Sequence, residues 1–165
     1  MAAPKIIFDL DKTLWNCYNS EGTEIWAKQL VPPLVFESDT VVCDRHGSCC
    51  VLQPGVTKMF SLICSERKAT RIGFLSVGAL EGVPLEEQPS VKILQKFNLY
   101  RHFNTEKILV FKTEKKDKYL KDMGGCMFVD DDDKHLQDAK KLENVIVVDR
   151  KSMKNWDEVT SYAGE

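Results

Sequence analysis

Two aspartates in the run Asp9-Leu10-Asp11-Lys12-Thr13 follow directly on the apolar stretch Ile6-Ile7-Phe8. Residues i and i+2 of an extended chain share a face, so both carboxylates leave the end of a buried strand on the same side. Like charges held that close must be offset by a cation or by a proton kept on one of them. A divalent metal supplies the first and general acid chemistry requires the second. The ordinary structural use of Asp11 would be to start a turn or cap a helix. Far along the chain, Met127-Phe128-Val129 is another short apolar run, and it ends in four aspartates, Asp130 to Asp133. Alone, such a run is a solvated loop or a helix start. Behind a strand, it is predicted to meet the first pair at the carboxyl edge of one parallel sheet, where open α/β proteins bind ligands. Oxygen donors of this kind suit Mg²⁺, which takes one or two carboxylates and completes its shell with water and phosphate oxygens.

Between the acidic sites, Arg71 to Gly78 reads as a strand ending in the hydroxyl of Ser76, and Ile108 to Lys112 as a strand ending in a cation. Each feature is common singly. Together, a hydroxyl with nearby amides can hold a phosphate, and a lysine can neutralise its charge and that of a nucleophile. Lys115 and Lys116 lie one helical turn further on and compete for the role; Lys112 is favoured because it directly follows the strand. The order Asp-x-Asp, Ser, Lys, Asp-Asp, each at a predicted strand end, describes a phosphoryl-transfer centre.

That order resembles the haloacid dehalogenase superfamily of phosphatases. The narrower resemblance is to the eukaryotic magnesium-dependent phosphatase group. It rests on Phe8-Asp9-Leu10-Asp11-Lys12-Thr13-Leu14-Trp15, Pro32-Pro33, Asp44-Arg45-His46-Gly47, Phe128-Val129-Asp130-Asp131-Asp132 and Asn144-Val145-Ile146-Val147-Val148. It covers nearly the whole chain; its first and last motifs are specific and its middle two loose. The resemblance implies a Rossmann-like three-layer sandwich and a Mg²⁺ cofactor held by Asp9, Asp11, Asp130 and Asp131. It also implies Asp9 as nucleophile, Asp11 as general acid and base, Ser76 as phosphate-binding hydroxyl and Lys112 as the motif lysine. The chain departs from the group after the serine, where Val77 stands in place of an arginine. Receiver domains place the phosphorylated aspartate before the hydroxyl and lysine, with no second acidic cluster after them. The ion-pump motif that begins Asp-Lys-Thr continues Gly-Thr and belongs to a large membrane protein, whereas here Leu14-Trp15 follows.

The elements that must position these groups alternate. Strands are predicted over about 5–10, to Ser76, to Phe111, over 126–130 and over 144–149. Helices are predicted over 55–65, 90–97 with Ser90 as N-cap, 113–123, a segment carrying Leu136, Ala139 and Leu142, and a C-terminal segment carrying Trp156, Val159 and Tyr162. The helix over 55–65 carries Val56, Met59, Phe60 and Ile63 at the spacing of one apolar face. The alternation predicts an α/β fold with a central parallel sheet and helices on both faces. It forms a single domain over residues 1–165, with a flap insert over about 15–53. Within the insert, Val35-Phe36 and Val41-Val42-Cys43 against Cys50-Val51-Leu52 read as a β-hairpin with Gly47 in its turn. A hairpin is too short for a cap domain, so the site stays open, with Trp15, Tyr18 and Trp26 either at its entrance or in the flap core.

Length supports a core without staples. A net charge of −2 gives no basic surface for nucleic acid. No apolar run reaches the length of a membrane span. The six cysteines, Cys17, Cys43, Cys49, Cys50, Cys64 and Cys126, lack zinc-type spacing, and the N-terminus carries no secretory signal. Reduced thiols in a cytoplasmic or nuclear protein are the simplest expectation. The combined expectation is a Mg²⁺-dependent phosphoric monoester hydrolase working through an aspartyl-phosphate. Its substrates would be phosphorylated protein side chains, phosphotyrosine among them, or small phosphate esters. A catalytically idle binding module and a phosphotransferase are the alternatives. Oligomeric state leaves no mark in the sequence.

Overall fold

The computed structural model describes residues 3–66, 69–111, 115–153 and 155–164. Ile6, Ile7 and Phe8 are completely buried, as a central parallel strand covered on both faces requires. They form β1 (Lys5–Phe8). The chain then leaves for β2 (Trp15–Tyr18), β3 (Glu24–Ile25), β4 (Val35–Ser38), β5 (Val41–Cys43) and β6 (Cys49–Leu52), and returns through α1 (Val56–Glu66) to β7 (Arg71–Val77). Next come α2 (Pro89–Lys96), β8 (Lys107–Val110), α3 (Asp117–Lys121), β9 (Cys126–Asp130), α4 (Asp133–Lys140), β10 (Val145–Asp149) and α5 (Asp157–Ala163). Among the described residues no helix is long and apolar enough to cross a membrane.

Among these residues there are two five-stranded sheets, one in the order β10-β9-β1-β7-β8 and the other β3-β2-β6-β5-β4. The first is parallel throughout. From β1 the chain builds outward to β7 and β8, then crosses back to β9 and β10. The reversal falls between β1 and β9, and the crevice at the carboxyl ends of strands flanking such a reversal is where α/β sheets take ligands. Side-chain alternation feeds two cores. Ile6, Phe8, Ile72 and Phe74 pack on one face with Met59 and Phe60 of α1, Val91 of α2 and Val159 of α5. Ile7, Leu75, Val110 and Phe128 pack on the other with Leu120 of α3 and Ala139 of α4. Phe8, Phe60, Phe74 and Phe103 interlock with ring centroids 5.3 to 6.5 Å apart, each burial contributing roughly 1.5–3 kcal/mol. Gly73 is required within β7: a Cβ there would stand 2.5 Å from the Glu106 carbonyl oxygen.

Several local expectations are corrected. The first strand stops at Phe8 rather than near residue 10, because Thr13 and Leu14 fold back to donate to the Leu10 carbonyl and Lys12 takes a φ of +65°. α2 is capped by Gln88 with Pro89 in its first turn, not by Ser90. The Gln88 amide donates to the Leu80 and Val83 carbonyls and accepts from Leu80 N–H, fixing the loop after β7. α3 is shorter than the predicted helix; Thr113 and Glu114 lie outside the described residues.

The insert is larger than a hairpin, because β2 and β3 join β4, β5 and β6 in one antiparallel sheet. Asp44 ties its turn together: the carboxylate accepts from His46 and Ser48 N–H and, across the flap, from Val31 N–H at 2.9 Å. Burial alone would raise its pKa, but these three donors hold it below the ordinary value. The expectation of reduced thiols is also corrected. Cys17–Cys50 and Cys43–Cys49 are disulfides, and Cys64 and Cys126 are free. Adjacent Cys49 and Cys50 point to opposite faces of β6 and are not bonded to each other. Each stands directly opposite a partner cysteine, on β5 and on β2 respectively.

Candidate active site

Asp9 follows β1 and remains tied to β9, its N–H donating to the Val129 carbonyl at 2.8 Å. Its carboxylate is almost fully buried. Oδ1 accepts from Ser76 Oγ at 3.0 Å and from Lys116 Nζ at 2.8 Å, and Oδ2 accepts from Thr13 Oγ1 at 3.1 Å. Ser76 sits near the end of β7, the strand beside β1, as its sequence position predicts.

The four-aspartate run divides by role. Asp130, the last residue of β9, is completely buried; it accepts from Lys116 Nζ at 2.6 Å and from the N–H groups of Asp131 and Asp132. Asp131 accepts from Thr13 Oγ1 at 3.3 Å. Asp132 caps α4, accepting from Lys134 and His135 N–H, while Asp133 is exposed and paired with Lys151. Only the first two aspartates thus turn toward Asp9. Single oxygens of Asp9, Asp130 and Asp131 lie within 4.8 Å of one another.

Among the described residues the buried lysine of this cluster is Lys116; the favoured Lys112 lies outside them. The sequence reading sought a lysine at the end of a strand, whereas Lys116 comes from the residue that caps α3. A usable signal was present: Lys116, Leu120 and Met123 share one helical face, and all three are buried. Lys115, its neighbour, is exposed. Thr13 and Trp15 are further site residues to which the sequence reading gave no role in the chemistry; Trp15 is fully buried and Trp26 about half exposed.

Asp11 stands apart from the cation cluster. Its Oδ1 accepts from the Trp15 indole N–H at 2.9 Å, and both its oxygens face the Ala27 N–H at 3.2 and 3.3 Å. Asp9 and Asp11 therefore do not form one bidentate pair, and the side chain of Asp11 is not among the three clustered carboxylates. Burial, with Asp9 adding to it, pushes the Asp11 pKa up to about 7. Burial also raises Asp9 and Asp131, each further raised by a neighbouring carboxylate. Burial would raise Asp130 too, but the Lys116 charge and hydrogen bonds prevail and lower it. The same two carboxylates keep Lys116 above the ordinary lysine value despite its burial. One ammonium serves three clustered carboxylates, two of them raised by burial and by their neighbours, and every donor among them is a hard oxygen. Both properties fit a divalent cation such as Mg²⁺, which Asp9, Asp130 and Asp131 could hold.

The Asp11 environment makes a stability prediction. Its folded pKa of about 7 lies above the ordinary 3.8, so the stability contributed by its proton is fully present below pH 3.8 and lost as pH rises through 7. Asp11→Asn mimics the protonated form at every pH. In chelator at pH 8 it should unfold at higher denaturant than wild type, by a few kcal/mol at most given about 1.4 kcal/mol per pKa unit, and the gain should vanish near pH 4. Equal stabilities at pH 8 would contradict this environment.

Comparison of the chain with known protein families and with curated proteins gave no match.

Proposed function

We propose that the protein is a Mg²⁺-dependent phosphatase of the haloacid dehalogenase type, hydrolysing phosphate monoesters through an aspartyl-phosphate. The observation that carries this reading is the contrast between two aspartates two residues apart. Asp9 is surrounded by a lysine, two hydroxyls and two further carboxylates. Asp11 is held by an indole and an amide, with its pKa pushed up to about 7. Environments that separate two carboxylates in this way assign them different roles in catalysis.

In this mechanism an Asp9 oxygen attacks phosphorus in line, and the bond from phosphorus to the leaving oxygen breaks as Asp11 passes its proton to that oxygen. Asp11, now a carboxylate, takes a proton from water as the water oxygen attacks the aspartyl-phosphate. The Asp9–phosphorus bond breaks, releasing phosphate and restoring both groups. The Lys116 charge opposes the burial that raises Asp9 and offsets charge on the transferred group, and Ser76 orients it. Mg²⁺ held by Asp9, Asp130 and Asp131 would neutralise the phosphate dianion and so permit its approach to a carboxylate.

Purified protein should hydrolyse p-nitrophenyl phosphate with Mg²⁺, lose at least roughly 100-fold of that rate in excess chelator, and recover it on adding the metal back. Fluoroberyllate should inhibit by occupying the place of the phosphoryl group on Asp9. Full activity in chelator would overturn the reading.

A further inference from the structure

The loop that follows Ser76, through Val77, Gly78, Ala79 and Leu80, carries no cation. One reaches it from the flap. A single 3-10 turn over Ala27–Gln29 packs against α2, and is closed by the Gln29 side chain accepting from Trp26 N–H at 2.8 Å. The first residue of the turn, Ala27, gives the N–H that holds Asp11. The second, Lys28, is half-buried, and its Cδ lies 4.0 Å from the place a Cβ would occupy on Gly78. Gly78 is itself fixed, with a φ of +129° that favours glycine and an N–H donating to the Val110 carbonyl at 2.9 Å. The Lys28 side chain thus runs from the support of Asp11 to the turn two residues after Ser76, with its ammonium two bonds beyond the contact.

Lys28 differs from the other flap-side lysine. Lys12 is paired with Glu24 at 3.0 Å and lies over the Trp26 ring. Among the described residues Lys28 has no ion pair. Beside the same turn a cavity of about 380 Å³ opens, lined by Ala79, Leu80, Val83, Pro84, Leu109 and Phe111 among others. None of its lining residues is charged, so it could accept the body of a leaving group but could not compensate an anion on it.

We propose that Lys28 is a specificity-determining residue of the phosphatase site, selecting phosphate monoesters whose leaving group carries a second anionic group, a carboxylate or another phosphate. The proposal rests on the phosphatase reading. Asp11 meets the leaving oxygen in that mechanism, and Lys28, anchored one residue from the support of Asp11, carries its ammonium to the otherwise uncharged turn after Ser76, beside the cavity that could take the body of the leaving group.

3-Phosphoglycerate and glycerol 3-phosphate differ in a carboxylate against a neutral hydroxymethyl group and form the test pair. The quantity read is the ratio of their kcat/KM values, which does not depend on how much of a variant preparation is folded. Lys28→Met should lower this ratio about tenfold, as expected for losing one partly desolvated charge pair. Lys28→Glu should lower it further, and Lys28→Arg should keep it within about twofold of wild type. In wild type the ratio should fall as salt is raised, since screening weakens such a contact, and in Lys28→Met it should be insensitive to salt. A ratio unchanged in both Lys28→Met and Lys28→Glu, with wild type hydrolysing both esters in Mg²⁺, overturns the role of Lys28 and leaves the phosphatase reading standing. Wild type hydrolysing neither ester nor p-nitrophenyl phosphate overturns both.

Discussion

Asp9→Asn is expected to lower Mg²⁺-dependent turnover of an aryl phosphate by at least roughly four orders of magnitude while the protein stays folded. Asparagine keeps the shape of the side chain; its oxygen can still accept from Ser76 and its amide nitrogen can donate to the Thr13 hydroxyl, the two groups that contact Asp9 at 3.0 and 3.1 Å. It has no anionic oxygen to attack phosphorus, so the aspartyl-phosphate cannot form. Removing one charge also relieves the crowding that raises the pKa values of Asp9 and Asp131, so stability in the absence of metal should hold or rise. Turnover by phosphate release, with thermal unfolding followed by circular dichroism, reads both. A variant turning over at the wild-type rate would place the nucleophile elsewhere and end the proposed mechanism.

Lys116→Met should combine two losses. Methionine fills a similar volume but leaves the carboxylates of Asp9 and Asp130, 2.8 and 2.6 Å from the ammonium in wild type, without a buried partner. Removing one member of a buried ion pair costs about 3–5 kcal/mol, and removing a group that offsets transition-state charge costs about 10²–10³ in kcat. The lowered pKa of Asp130 sets the sign with pH. Its share of stability is fully present above the ordinary aspartate value of 3.8 and is lost as pH falls through the folded pKa. The destabilisation of Lys116→Met should therefore be largest near neutrality and shrink in acid, and millimolar Mg²⁺ should recover part of it. Lys115→Met should retain turnover within about threefold, since exposed surface lysines contribute little, and Lys112→Met should do the same because Lys116 supplies the buried cation. Loss at Lys112 with none at Lys116 would return the role to the strand end.

Local patterns carried much of the fold. The apolar runs at Ile6 to Phe8 and Met127 to Val129 become neighbouring central strands, because runs apolar on both faces must be covered on both faces. The spacing of Val56, Met59, Phe60 and Ile63 becomes a buried helix face for an equally local reason. Asp9, Ser76, Asp130 and Asp131 meet because each lies at the carboxyl end of a strand in one parallel sheet, so element order alone brought them to one edge.

The errors occurred where strand register and pairing, rather than a local pattern, decide the outcome. The reduced-thiol expectation failed because disulfide pairing depends on which residues stand opposite across an antiparallel register. The hairpin expectation already sets the strand of Cys43 beside β6, but nothing local in Cys17 specifies β6 as the neighbour of its own strand, and only the register sets Cys43 opposite Cys49. The hairpin grew into a five-stranded sheet for the same reason, as β2 and β3 are too short to be recognised without their partners. Closeness along the chain to the end of a strand favours Lys112, which lies outside the described residues, whereas helix phase turns Lys116 inward at the start of α3.

The sequence by itself determined the alternating α/β architecture, the strands that end in acid and the hydroxyl facing them, since periodicity and composition act over a few residues. Only the tertiary structure decided which lysine neutralises the carboxylates, that Asp131 rather than Asp11 joins Asp9 and Asp130, and that Asp11 titrates near 7. Burial and charge coupling are sums over groups brought together from Asp9 to Asp131, and no stretch of chain contains them in advance.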